Sequence, residues 1–257
     1  MFERTLAKAE PMTEAEWQTC TDPQAMLDFL RESGKANNRK LQLFAVACCR
    51  RVWKWLPNKR SRITVDVAEL YADGLANKEE VLAAYQYGGG DEAAQPDLEP
   101  VGPRWAMRRG VAGAVVVMAT DMPATQRASI VAQITRMGGI DAGVDMAFPW
   151  YLAPNGVESL AARRDVNAEE IAQSDLLRDI FYYPFRGFPV IDATLRRSVA
   201  TGLATGMYER RDFSQMPALA QRLETAGCTD ADILAHCRSR SEHVRGCWVV
   251  DLLLGNE

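Results

Sequence analysis

The chain has 257 residues, of which 47% are hydrophobic and 25% charged, with a net charge of −4. That balance belongs to a folded globular protein rather than a disordered one, and it excludes bulk attraction to nucleic acid or anionic membrane, so either would need a local basic patch. The length accommodates one large domain or two modest ones, each able to bury a core.

Met1-Phe2-Glu3-Arg4-Thr5-Leu6 lacks the basic segment and sustained apolar run of a secretory leader. The longest apolar stretch near the middle, Val111 to Ala119, is far short of the ~20 residues that span a bilayer. The six cysteines follow no extracellular framework, since Cys48 and Cys49 are adjacent inside a helical pattern. Reduced thiols and a cytoplasmic location, with no membrane partner, are therefore expected.

Helix signals begin at Thr13-Glu14-Ala15-Glu16, where Thr followed three residues later by Glu makes a capping box. Thr21-Asp22-Pro23 then offers a capping side chain with Pro in the first turn. Ala25, Met26, Phe29 and Leu30 form an apolar face, and Gly34 stops that helix. The third helix carries Leu41, Phe44, Ala45, Cys48, Val52 and Leu56 on one stripe before Pro57. A fourth is predicted over Ser61 to Leu75, with Ile63, Val67, Leu70 and Tyr71 inward, and Asn77 caps a short fifth through Val81, Leu82 and Tyr85. Gly88-Gly89-Gly90 and the acidic, Pro-bearing run after it cannot hold a helix, so 88–102 reads as a linker or loop. It separates an N-terminal helical unit, 1–87, from a C-terminal helical unit, 103–257.

Pro103 to Thr120 is apolar enough for a buried helix, with a strand competing at Val115-Val116-Val117. Pro123 opens a helix through Ile130, Val131, Ile134 and Met137, ended by Gly138-Gly139; Asn167 caps another that runs to Phe181. Tyr183-Pro184-Phe185-Arg186-Gly187-Phe188-Pro189 is extended, because residues before Pro avoid the α region. Helices follow over Asp192 to Arg211, Met216 to Ala226, Ala231 to Arg238 with Thr229 as cap, and Glu242 to Leu254. No fixed-period repeat and no alternation of strands with helices is present, so the fold class is all-α: an irregular multi-helix bundle or two packed helical subdomains.

Two blocks carry a resemblance. Met12-Thr13-Glu14-Ala15-Glu16-Trp17 with Cys48-Cys49-Arg50-Arg51, and Ala226-Gly227-Cys228-Thr229-Asp230-Ala231-Asp232 running on through His236-Cys237-Arg238 to His243-Val244-Arg245-Gly246-Cys247-Trp248, resemble a family of uncharacterised helical proteins abundant in planctomycete bacteria. Asp175-Leu176-Leu177-Arg178-Asp179-Ile180-Phe181 resembles the same family, which more often has Gly-Asn where this chain has Tyr182-Tyr183. The resemblance implies no activity.

Three groups of residues have chemical potential. Both histidines and three of the six cysteines fall in the tail: Cys228, His236, Cys237, His243 and Cys247. His243 and Cys247 are four apart, and a hairpin of the last two helices would bring them to His236 or Cys237, a mixed N/S set of the kind zinc takes. Against that, the short ligand pairs of structural zinc sites are missing, and Cys is often plain apolar packing. The same residues could instead make a thiolate–imidazole pair, but adjacent residues on a helix diverge by ~100°, separating His236 from Cys237, and burial would leave a thiol inert.

Arg50, Arg51, Lys54, Lys59, Arg60 and Arg62, interleaved with Trp53 and Trp55, form a basic patch that could meet phosphates and bases, or simply complement a helix C-terminus. Tyr182, Tyr183, Phe185, Arg186 and Phe188 concentrate aromatic surface, either as a partner-binding strip or as a plug between helical layers.

No catalytic motif is legible, neither a nucleophile elbow, a phosphate loop nor a metalloprotease helix. The leading expectation is thus a non-enzymatic adaptor or regulatory module with a protein partner and no cofactor. A zinc- or thiol-dependent tail is the alternative, and nucleic-acid binding the second alternative.

Overall fold

The computed structural model describes residues 12–53, 56, 59–87, 122–138, 160–182, 184–187, 189, 191, 193–196 and 199–256. These are helices joined by turns, and no strand occurs among the described residues. In order they are α1 (Glu14–Thr19), α2 (Pro23–Glu32), α3 (Asn38–Arg51), α4 (Lys59–Ala72), α5 (Lys78–Tyr87), α6 (Ala124–Gly138), α7 (Leu160–Ile180), α8 (Ala193–Arg196), α9 (Val199–Arg210), α10 (Met216–Thr225), α11 (Ala231–Arg238) and α12 (Trp248–Leu254). The fold is all-α. No described helix is long and apolar enough to cross a membrane.

Helix starts follow local chemistry. Thr13 accepts from the Glu16 amide while Glu16 reaches back to the Thr13 amide at 2.7 Å, closing the expected box. Asp22 caps α2 ahead of Pro23. Asn77 and Glu80 satisfy each other's amides at 2.9 and 2.7 Å. At α11 the cap is Asp230 and not Thr229: its carboxylate takes the amides of Asp232 and Ile233, both at 3.0 Å, because a carboxylate one residue closer reaches two orphan donors at once.

Two expectations about faces are corrected. The α3 helix is buried over the whole run from Lys40 to Cys49, not along one stripe, because α4, α6 and α7 pack around it. On α4 the buried residues are Ser61, Thr64, Val65, Ala68 and Glu69; of those expected inward, Val67 and Tyr71 pack half-buried against the core, while Ile63 is 42% exposed. The face is turned by the demand of Glu69, which three arginines hold inward.

The apolar residues fall into two clusters. One takes α1 to α7, from Trp17 to Phe181; the other takes α8 to α12, from Tyr182 to Leu253. The expected linker at 88–102 lies outside the described residues, as does the stretch from Pro103 to Thr120. Helices on either side of that linker, α5 and α6, contribute Val81 and Val131 to the same cluster. The division between clusters falls at Phe181–Tyr182.

No helix of the first group packs broadly along a helix of the second. Val244 and Phe185 pack against the first cluster from the segments between helices, and polar side chains join the groups as well. Arg39 at the start of α3 bonds Asp251 of α12 at 2.6 Å, the Tyr208 hydroxyl at 2.8 Å and the Asn256 carbonyl at 2.8 Å. Tyr208 in turn donates to Asp73 at 2.7 Å. Glu69 receives Arg50 from its own group and Arg211 and Arg245 from the other. Arg51 links Glu169 of α7 to Glu242 of the tail.

A buried Asp/His/His/Cys cluster as candidate metal centre

The cluster is assembled from one residue of the first helix group and three of the second. Asp179 stands in the last turn of α7, where Leu176, Leu177 and Ile180 anchor the helix in the first core. His236 projects from α11, whose Ile233, Leu234 and Cys237 face the second core. His243 follows a tight turn in which Ser239 accepts from the Ser241 amide at 3.0 Å. Cys247 is the residue before α12, delivered by Gly246 at φ 93°.

That glycine corrects the expected helix over Glu242 to Leu254, which begins only at Trp248. A left-handed residue ends helical continuity. A Cβ at Gly246 would also lie 3.0 Å from Leu43 and 3.6 Å from Ile180. His243 and Cys247 therefore approach each other through a turn rather than across one helical face.

The donor atoms converge. His236 Nε2 lies 3.0 Å and His243 Nδ1 2.6 Å from the same oxygen, Asp179 Oδ1. His236 Nε2 is also 3.3 Å from Cys247 Sγ, and all four residues offer one donor atom within 4.8 Å of the others. The remaining Asp179 oxygen accepts the Val244 amide at 3.0 Å. Asp179 and Cys247 are fully buried, and His236 is the most open member at 15%. Its ring packs between His243 at 4.9 Å and Trp248 at 5.0 Å.

Electrostatics divide the members. Burial opposes the charge on Asp179, yet hydrogen bonds from His236 and His243 hold its pKa below the ordinary carboxylate value. Burial pushes the Cys247 thiol well above its ordinary value and the Asp179 charge adds to this, while the first-turn amides of Val249 and Val250 pull the other way. Without a cation beside it, this sulfur stays protonated and is no nucleophile.

Hydrogen bonding alone serves the cluster poorly. A ring nitrogen carries either a proton or a lone pair, so His236 Nε2 cannot donate to Asp179 and also accept from the Cys247 thiol. His243 Nε2, moreover, is buried with no hydrogen-bond partner, the kind of deficit that a packed interior rarely tolerates. A divalent ion resolves the first conflict by taking one lone pair from each of four donors. Zinc with nitrogen, oxygen and sulfur ligands sets neighbouring donors about 3.4 Å apart, close to the separations of His236 from Asp179 and Cys247. The Asp179–His243 pair, at 2.6 Å, would have to open by about 0.8 Å to match.

Of the five tail residues singled out by sequence, His236, His243 and Cys247 meet, and Cys228 and Cys237 do not join them. Those two thiols are buried in the second apolar cluster, where burial pushes Cys237 up to about 12. The fourth member, Asp179, was missed. The available signal was a carboxylate amid Leu176, Leu177, Ile180 and Phe181: an acidic group there is buried, and buried carboxylates need partners.

A cavity of about 280 Å³ abuts the cluster, bounded by Asp179 and His236 and by Trp17, Arg178, Tyr182 and Asp232. It offers an ion a path to the donors. Arg178 is already committed, donating to the Trp17 and Cys20 carbonyls at 2.9 Å each and to Asp175 at 2.8 Å.

The other two groups are placed differently. In the aromatic segment Tyr182 is buried against Trp248, ring centres 4.2 Å apart, and donates to Asp232. Phe185 stacks on Phe29 at 5.0 Å, and exposed Arg186 pairs with Glu14 and Asp232. Tyr183 and Phe188 lie outside the described residues. In the basic patch, Arg50 bonds Asp66 and Glu69 and Arg51 bonds Glu169 and Glu242, so both guanidiniums are neutralised. Arg62 donates to the Trp53 carbonyl and covers the Trp53 ring at 5.5 Å. Lys59 is exposed; Lys54 and the Arg60 side chain lie outside the described residues.

No protein-family model matches this chain, and neither a curated protein nor a solved structure matches it.

Proposed function

We propose that the protein binds a divalent transition metal, zinc by donor chemistry, through Asp179, His236, His243 and Cys247. The observation that carries this reading is the convergence of four chemically suited donor atoms within 4.8 Å, contributed by α7, α11 and the turn before α12 and buried or half-buried. Two imidazoles, one carboxylate and one sulfur make a set that zinc accepts and that magnesium or calcium, which seek oxygen, do not. With the thiol deprotonated, the two anionic ligands balance the ion's charge, so a neutral unit replaces a buried carboxylate and a buried thiol. Four protein ligands complete a tetrahedron and leave no open position, which favours a structural over a hydrolytic role.

A protein-partner role for 181–188 has less support, because the Tyr182 and Phe185 rings pack within this chain. Phosphate binding by Arg50 and Arg51 would compete with the carboxylates they already hold.

Elemental analysis of the purified protein tests the proposal, with about one zinc per chain expected. Cobalt(II) added to stripped protein should give tetrahedral visible bands and a thiolate-to-metal band, the latter lost in Cys247→Ser. Asp179→Asn and His243→Ala should each lower affinity by at least tenfold. Wild-type protein that takes up neither zinc nor cobalt after reduction would end this reading.

A further inference from the structure

The position of the cluster carries more than its composition. Asp179 belongs to the first helix group, and His236, His243 and Cys247 belong to the second. Among the described residues no helix of one group packs broadly along a helix of the other, and the apolar contact between them comes from the segments between helices, where Val244 and Phe185 lie against the first cluster. Beside those contacts the junction is spanned by ion pairs: Arg39 to Asp251, Arg211 and Arg245 to Glu69, and Arg51 to Glu242. Such pairs lose much of their attraction to desolvation and, where exposed, to salt. A tight backbone approach across the junction is Gly246 against Leu43 and Ile180, in the turn between His243 and Cys247.

Resting on the metal reading, we propose that the ion is a pin between the two helix groups: its binding fixes α8–α12 on α1–α7, and its removal lets the second group undock while the first stays folded. The argument is one of linkage. All four donors come together only when the groups are docked, so the ion binds the docked state far better than the undocked one. The docked population rises by that ratio of affinities. Each group has its own apolar cluster, so undocking exposes the ionic junction and the cluster residues rather than either core. The cavity bounded by Asp179 and His236 gives the ion access without prior unfolding.

Hydrogen exchange on the full-length protein, stripped by chelator and then reloaded with zinc, tests the pin. Amides of residues 239–247 should exchange at least about tenfold faster in the stripped form, while those of α3, α4 and α12, held within the two cores, change little. Calorimetry of the same samples should show one transition when loaded and two when stripped. Asp179→Asn, altered on the first group, should reproduce the stripped pattern even with zinc present. Should that variant not fold, the wild-type zinc titration decides alone.

Zinc bound at full stoichiometry with identical exchange in the loaded and stripped forms would overturn the pin and leave the metal reading standing. So would protection gained equally in α3 and in residues 239–247, the mark of general stabilisation. Absence of any metal uptake would remove both.

Discussion

Gly246 occupies a backbone state at φ 93° that side-chain-bearing residues adopt at a cost, and its missing Cβ makes room for Leu43. Both constraints bear on one residue, and its neighbours His243 and Cys247 depend on it for their approach. Gly246→Ala is expected to cost about 1–3 kcal/mol from backbone strain alone, read as a lowered Tm, with zinc affinity falling alongside. Ala substituted at Gly34, whose Cβ would meet open space, should lower Tm without touching metal uptake. Unchanged stability in Gly246→Ala would mean that the turn can relax, and the account of the junction would need revision. Thiol reactivity separates the cysteines by the same local logic. Cys20 is the half-exposed one of the six, and the other five are buried. Burial lifts Cys49, like Cys237, to about 12. An aromatic disulfide reagent should therefore titrate about one thiol quickly in native protein, the rest reacting only as the chain opens. A fast second thiol, assigned to Cys247 by mass spectrometry, would contradict the burial of that sulfur.

Among the elements, α3 shows how a helix can be legible in kind and misread in orientation. Its apolar spacing announces a helix, but a period cannot count how many neighbours will surround it, and three of them bury Lys40 to Cys49 on every side. The inward face of α4 was misassigned for a related reason. An acidic residue is scored as outward by any hydrophobicity pattern, yet Glu69 is buried because Arg50, Arg211 and Arg245 arrive from α3, from the residue after α9 and from the turn before α12. The site divides along the same line. His236, His243 and Cys247 lie within a dozen residues of one another, and their chemical types mark them. Asp179 lies 57 residues before His236, and nothing near it in sequence requires an imidazole. Some helix starts, in contrast, follow from partners two or three residues away, as at Thr13 and Asn77, whereas the cap of α11 is Asp230 in place of Thr229 and Asn167 lies inside α7.

For the molecule as a whole, the consequence of two apolar clusters joined by charges is sensitivity at the joint. Arg39 holds Asp251 and Asp73 and bonds Tyr208, and the Asp251 side chain is about 1% exposed. Arg39→Ala leaves that carboxylate buried without its cation, a loss of about 3–5 kcal/mol, and chemical denaturation should register it as a lower midpoint. A change below about 1 kcal/mol would show that water or Lys40 replaces the guanidinium, and the junction would then be held chiefly elsewhere.

What the amino-acid sequence determined by itself is whatever depends on near neighbours: helical periodicity, caps, glycine stops, the absence of a membrane-length apolar helix among the described segments, and the gathering of imidazole and sulfur in the tail. Tertiary structure alone decided which faces turned inward, where one apolar cluster gave way to the next, and that Asp179 completes the group of His236, His243 and Cys247. The physical reason is range. Capping and periodicity are set by bonds spanning three or four residues, whereas the burial of Glu69 or Asp179 is stabilised only by partners that the folded chain brings from far along the sequence.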